Sequence, residues 1–205
     1  MTDLLIMLTG SIGSGKSTAA EILTKYNFIE DFFAKPLKDF GLSLGFEHHQ
    51  IYGTQEQKLE INQFWGISGR EFLQKFGSEV CRDALPGIIP GMNFNNRTLW
   101  ARVMESKIQK HKRLVISDGR FLDEAALVKE YKGVIIRLKR RPAGNTTVNT
   151  SVDTSADKPI GDFTTHKSET EISAIKADYE IDNNGSLEDL ENQLIGILSN
   201  EGCNV

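Results

Sequence analysis

Gly10-Ser11-Ile12-Gly13-Ser14-Gly15-Lys16-Ser17 directly follows the apolar run Leu4-Leu5-Ile6-Met7-Leu8-Thr9. The run is continuous rather than alternating, which predicts a strand buried on both faces, as in a parallel sheet. From about Ser17 to Lys25 the pattern predicts a helix. The octapeptide between them satisfies GxxxxGK[ST] at every fixed position, in the strand–turn–helix setting where that spacing binds phosphate. Glycines let backbone N–H groups point inward at phosphate oxygens, and the helix start adds its positive dipole end. Lys16 supplies a point charge for the β and γ phosphates, and the Ser17 hydroxyl a ligand for Mg²⁺. The stretch reads as a phosphate-binding loop (P-loop), with Gly10, Gly13, Ser14, Gly15, Lys16 and Ser17 as its triphosphate cradle.

Working outward, Phe28 to Phe33 is a short apolar stretch, and Lys35-Pro36 can open a second helix with proline in its first turn. One helix is expected around Gln55 to Phe64, another over Arg70 to Arg82, and a loop from Pro86 through the Asn-rich run. Thr98 to Gln109 predicts a helix, Leu114 to Ser117 a buried strand ending at Asp118, and Leu122 to Tyr131 a helix. Val134 to Leu138 and Asp178 to Asp182 complete the strands, and Ser186 caps a last helix through Leu198. This alternation predicts an α/β fold of P-loop NTPase type, in three layers with helices on both faces of a parallel sheet. The segment from about 139 to 168 breaks the pattern and is rich in Thr, Asn, Ser and Asp, as expected of a lid. A single domain over 1–205 is expected, with an acceptor-binding region at about 34–110.

Composition narrows the function. The 205 residues are 39% hydrophobic and 25% charged, ordinary globular usage. A formal net charge of -4 gives no reason to expect a nucleic-acid or membrane-surface binder. The apolar run near the start is too short to span a bilayer and lacks the features of a signal peptide, so the expected compartment is the cytoplasm, the host's for a viral protein. Cys81 and Cys203 show no bridging framework, and Cys203 lies in a polar tail.

A P-loop alone spans switches, motors and kinases. Guanine-specific switches need an N/TKxD string, and Ile175-Lys176-Ala177-Asp178 lacks its first residue. A short chain with a lid suits a phosphoryl transferase, because the lid excludes water that would otherwise hydrolyse ATP. Its acceptor should meet separate anion-binding groups. Arg70, Gln74, Gly77 and Ser78 recur on one face of an α-helix, though spacing alone favours a solvated face. Asp118 stands at a strand's carboxyl end, where ligands of open α/β sheets sit, and a carboxylate there can hold Mg²⁺ or orient an arginine. Arg120 and Glu124 follow it. Lys38 is a candidate for the acceptor phosphate and Asp39 for its proton; an exposed Lys-Asp pair is as good a reading of that spacing. Lys139, Arg140 and Arg141 can neutralise charge on a transferring phosphoryl group, and Trp100 can stack on a base or fill core.

Taken together, these residues resemble the deoxynucleoside monophosphate kinases of phages and other viruses. The resemblance runs from Gly10–Ser17 through Ala34-Lys35-Pro36-Leu37-Lys38-Asp39 to the R..LQ..G[TS]E-like string at Arg70–Glu79 and Trp100. It continues with the D.RF..E-like string Asp118 to Glu124, the H.SE-like string His166 to Glu169, and the element Asn184 to Leu190. It implies that Gly13 to Thr18 hold ATP and that Lys38, Arg70, Gly77, Ser78, Trp100, Asp118, Arg120 and Glu124 line a monophosphate pocket. The Arg70 face is then functional, Ser17 and Asp118 are the expected Mg²⁺ residues, and Arg140 or Arg141 is the lid arginine. The implied partners are small nucleotides. A homodimer fits the resemblance, although no exposed apolar stripe demands one. Other readings of the cradle are a dephospho-coenzyme A or phosphomevalonate-type kinase, or a nucleotide-dependent regulatory module.

Overall fold

The computed structural model describes residues 3–141 and 167–203. A five-stranded sheet contains β1 (Leu4–Thr9), β2 (Ile29–Asp31), β3 (Arg113–Gly119), β4 (Val134–Lys139) and β5 (Tyr179–Asp182). Their order is β2-β3-β1-β4-β5, and every pairing is parallel. The strand predicted from the opening apolar run therefore lies at the centre, and all six of its residues are buried. Alternation sorts them by face. Leu4, Ile6 and Leu8 pack with α1 (Lys16–Lys25) and α10 (Leu187–Asn200), whereas Leu5 and Met7 pack with α7 (Leu99–Ile108) and α8 (Leu122–Glu130). Helices on both faces complete the expected three layers.

A smaller apolar cluster sits apart from the sheet. Leu37 of α2 (Lys35–Ser43), Ile51 of α3 (His48–Tyr52) and Phe72 of α5 (Gly69–Gln74) pack with Phe46. Rings of Phe46, Phe72 and Phe76 stack in series, 5.0 and 5.4 Å between centroids. This cluster lets α2 to α5 stand as a wall beside the carboxyl edge of the sheet.

Several elements differ from their sequence expectation. Phe28 to Phe33 contributes β2, a short edge strand whose residues are mostly exposed and so carry little periodic signal. The helix expected over 55–64 is the shorter α4 (Gln55–Leu59), and α3 precedes it unpredicted; each is opened by a capping box, at Thr54 and Glu47 respectively. The Arg70 helix is α-helical only to Gln74, and Lys75–Ala84 adopts wider i→i+5 π-helical turns. Pro86 and Gly87 fall inside a further helical turn, α6 (Leu85–Ile88), because proline is tolerated in a first turn. Cys203 is buried in the main core, its N–H bonded to the Leu198 carbonyl, rather than lying in a polar tail. The Ser186 cap stands as expected, its hydroxyl accepting from the Asp189 N–H at 3.1 Å. Most of the expected lid, 142–166, lies outside the described residues, as does His166 of the H.SE-like string.

The α2–α5 wall depends on one close approach. A Cβ on Gly69 would lie 2.1 Å from the backbone carbonyl oxygen of Gln50, which cannot move without disturbing α3. Gly69→Ala is therefore expected to destabilise the protein by roughly 1–3 kcal/mol. A urea midpoint equal to wild type would contradict this packing.

Candidate active site

The carboxyl ends of the three central strands bring the site together. β1 runs into the P-loop, where Gly10, Gly13 and Gly15 have φ of +139°, +79° and +97°. A Cβ on Gly10 would meet the Leu138 carbonyl oxygen at 2.3 Å, so position 10 requires glycine on both counts. α1 starts from Gly15 with no side chain capping its first N–H groups. Such donors suit an anion. Ser14 is 1% exposed, and its hydroxyl has no hydrogen-bond partner among the described residues. Lys16 Nζ folds over the loop, donating to the carbonyls of Gly10 at 2.7 Å and Ser11 at 2.8 Å. Ser17 and Thr18 are exposed in the first turn of α1. The positive-φ glycines, the uncapped helix start and the orphaned Ser14 hydroxyl fit a polyphosphate.

Beside the loop lies a cavity of about 250 Å³. Lys38, Arg70, Gln74, Gly77, Ser78, Trp100, Asp118, Arg120 and Glu124 all line it, and Ile12 of the P-loop forms part of its wall. The sequence expectation thus converges on one space. Asp39 does not: it points away, accepting a hydrogen bond from the Tyr52 hydroxyl at 2.9 Å. The grouping of Arg70, Gln74, Gly77 and Ser78 survives although the α-helical period behind it stops at Gln74. Trp100 is half-buried, and its indole N–H is committed to the Gly77 carbonyl at 2.8 Å, so it braces the π-helical segment and offers the cavity only ring surface.

Asp118 has a structural task that the sequence did not show. Its two oxygens accept from the N–H groups of Phe33 at 2.8 Å and Ala34 at 3.0 Å, fixing the start of α2 against the end of β3. The β1–β3 register slips between Met7 and Thr9, opposite Ile116 and Gly119, and this bulge re-aims the strand end. Lys38 sits between the rings of Phe32 and Tyr52, with its Nζ 4.8 and 4.7 Å from their centroids. Burial lowers its pKa, against the pull of Asp118.

Four contributors were missed from sequence. Arg82 is buried, donates to Asp123 at 2.6 Å and Glu124 at 2.8 Å, and lies 3.5 Å over the Phe121 ring. Gln55 and Lys58 reach the cavity from α4, outside any string used above. Asn183 holds the P-loop from β5's end: its side chain donates to the Ser14 carbonyl at 2.9 Å, and its N–H donates to the Lys139 carbonyl at 2.7 Å. Next to it, the Asn184 side-chain oxygen accepts from the Arg141 N–H at 2.7 Å. The neighbouring Asn184-Gly185-Ser186 element was the available signal for that turn.

The basic run at the end of β4 is divided. Lys139 pairs with Glu180 at 2.6 Å, and both Lys139 and Arg140 line a second cavity of about 400 Å³ with Gly10 and Ser11. Arg141 is exposed beside the Asn184 turn.

Glu124 is 3% exposed and accepts from Arg82 and from the backbone N–H groups of Arg120 and Phe121. Burial first and the Asp118 charge second push its pKa up to about 8, against the opposing pull of Arg82. A carboxyl raised from 4.5 to about 8 leaves the native state holding more protons than the unfolded chain between those values. Its contribution is therefore full below pH 4.5 and lost as pH rises through 8. In Glu124→Gln, stability measured by urea unfolding should decline less than in wild type across that window. Parallel pH profiles would contradict the shift.

Known proteins bear on this geometry. The chain is 37% identical, over 206 aligned residues, to an Acanthamoeba polyphaga mimivirus protein named "Putative deoxynucleotide monophosphate kinase", covering 96% of this chain and 97% of that one. Among solved structures, shikimate kinase from Aquifex aeolicus aligns at 15% identity and a TM-score of 0.46, over 98% of this chain and all of that one. Dephospho-CoA kinase from Campylobacter jejuni aligns at 14% identity and a TM-score of 0.42, over 96% of each chain. No protein-family model matches the chain.

Proposed function

Since the chain belongs to the deoxynucleotide monophosphate kinase family, we propose that it transfers the γ-phosphoryl group of ATP to the 5′-phosphate of a deoxynucleoside monophosphate. The observation carrying this reading is the adjacency of two anion sites. A triphosphate cradle and a cationic cavity share Ile12 as a common wall. A regulatory nucleotide-binding module needs only the first of these.

On this reading Gly10, Gly13, Ser14, Gly15, Lys16, Ser17 and Thr18 hold ATP. Ser17 would hold Mg²⁺, with Asp118, already engaged by two N–H donors, assisting through water, and the ion would supply positive charge to offset the β and γ phosphates. Lys38, Arg70 and Arg120 hold the acceptor phosphate, while Gln74, Ser78, Trp100 and Glu124 surround its nucleoside. An acceptor phosphate oxygen forms the new bond to the γ phosphorus, the bond to the β–γ bridging oxygen breaks, and ADP leaves with that electron pair. Phosphate is already a competent nucleophile, so the position of Asp39 outside the cavity costs the reaction nothing. Arg140, facing Gly10 and Ser11, is the better placed of the two lid arginines to stabilise the group in flight. The task of these residues is positioning and electrostatics.

A coupled assay with ATP, Mg²⁺ and each of dTMP, dGMP, dCMP and dAMP, against dephospho-coenzyme A, tests the proposal. ADP release should require a deoxynucleoside monophosphate. Release no faster than with ATP alone for all four would refute it. Lys16→Ala should lower turnover roughly 10²–10³-fold with an unchanged circular dichroism spectrum, and a variant near the wild-type rate would remove the cradle from the mechanism.

A further inference from the structure

The cavity carries more positive charge than the sequence strings account for. Four of its cations come from four segments: Lys38 from α2, Lys58 from α4, Arg70 from α5 and Arg120 from the end of β3. Its fifth, Arg82, is taken up by Asp123 and Glu124. Among the described residues that line the cavity, the carboxylates are Glu124, engaged by Arg82, and Asp118, whose oxygens also serve two backbone N–H groups. Partly buried like charges repel unless an anion joins them. Burial first, then Arg120 and Arg70, hold Lys58 below the usual lysine value; burial first, then Lys58 and Arg120, lower Lys38 against the pull of Asp118 and Asp39. The four groups therefore sense one another across a single small space.

α4 enters this cluster twice. Lys58 lines the cavity, and one turn earlier the Gln55 side-chain oxygen accepts from Arg70 Nη1 at 2.5 Å. With that oxygen engaged, Gln55 fixes the direction of the Arg70 fork. Lys58 has three donors and no acceptor, so it suits an anionic oxygen. The helix is itself fixed by the Thr54–Gln57 capping box.

We propose that α4 is an acceptor-phosphate element, in which Lys58 is a fourth cation on the phosphate of the bound monophosphate and Gln55 is a positioning residue acting through Arg70. The proposal rests on the kinase reading above and deepens it. It gives the segment between the two recognised strings a role that is independent of the base, because every deoxynucleoside monophosphate carries the same phosphate.

The test is steady-state kinetics of Lys58→Ala with the four deoxynucleoside monophosphates. KM for each accepted monophosphate should rise by roughly tenfold, the effect of one charge-assisted hydrogen bond, with KM for ATP unchanged. A rise confined to one base would make Lys58 a base reader and overturn the proposal. So would unchanged acceptor KM values, or an equal rise in KM for ATP. Gln55→Ala should raise acceptor KM less, and its effect should vanish in an Arg70→Ala background. An undiminished effect there would remove Gln55 from the scheme. Should wild type phosphorylate no monophosphate, the kinase reading falls on its own. The α4 element is then judged by calorimetric titration with inorganic phosphate. Weaker binding by Lys58→Ala supports it; equal binding, or none by wild type, overturns it.

Discussion

The site depends on one carboxylate. Asp118 accepts from the N–H groups of Phe33 and Ala34, two donors at the start of α2 that no helical bond can satisfy. Through them the end of β3 grips the wall formed by α2 to α5. That wall has its own apolar cluster around Leu37, Phe46, Ile51 and Phe72, separate from the clusters on the sheet. Apolar packing sets its distance from the sheet only loosely, because the hydrophobic effect has no direction. Hydrogen bonds to an ionised oxygen are short and directional. They set where Lys38, three residues after Lys35, lies relative to the P-loop. The register slip in β1–β3 belongs to the same arrangement, since it turns Asp118 out of the regular ladder.

What the sequence made legible follows from the range of each interaction. The P-loop, β1 and α1 are specified by neighbours in the chain, so Gly10 to Ser17 could be read directly. The mostly buried β3 and β4 were visible as apolar runs for the same reason. β2 was not, because two of its three residues are exposed at the sheet edge. The π-helical turns after Gln74 have no composition cue; they are seen only once Trp100 is found on the Gly77 carbonyl, 23 positions away. Arg82 illustrates the other limit. Its partners Asp123 and Glu124 lie 41 and 42 positions along the chain. Gln55, Lys58 and Asn183 were hidden in the same way, each polar and ordinary until the fold brings its partner to it. The recognised strings found the cavity, while the residues that aim those strings came from outside them.

Charge along the cavity follows a gradient that the pairings explain. Toward one side, Arg82 spends its donors on Asp123 and Glu124, stacks on Phe121, and leaves that wall close to neutral. Burial works in the same direction by favouring the protonated form of Glu124. Among the described residues, the other lining cations are Lys38, Lys58, Arg70 and Arg120, with Asp118 beside them. A molecule with a doubly charged head and a mostly neutral body has one favourable orientation in such a field. That orientation is set before any base contact forms, because charge interactions act over longer distances than hydrogen bonds. On the proposed reading, a monophosphate enters head first toward Ile12 and the P-loop, and its body rests against Trp100 and Ser78. The requirement for in-line transfer is then met by the placement of ion pairs. Arg82 contributes by removing charge from the wall where charge would misdirect the substrate, an effect separable from any contact with it.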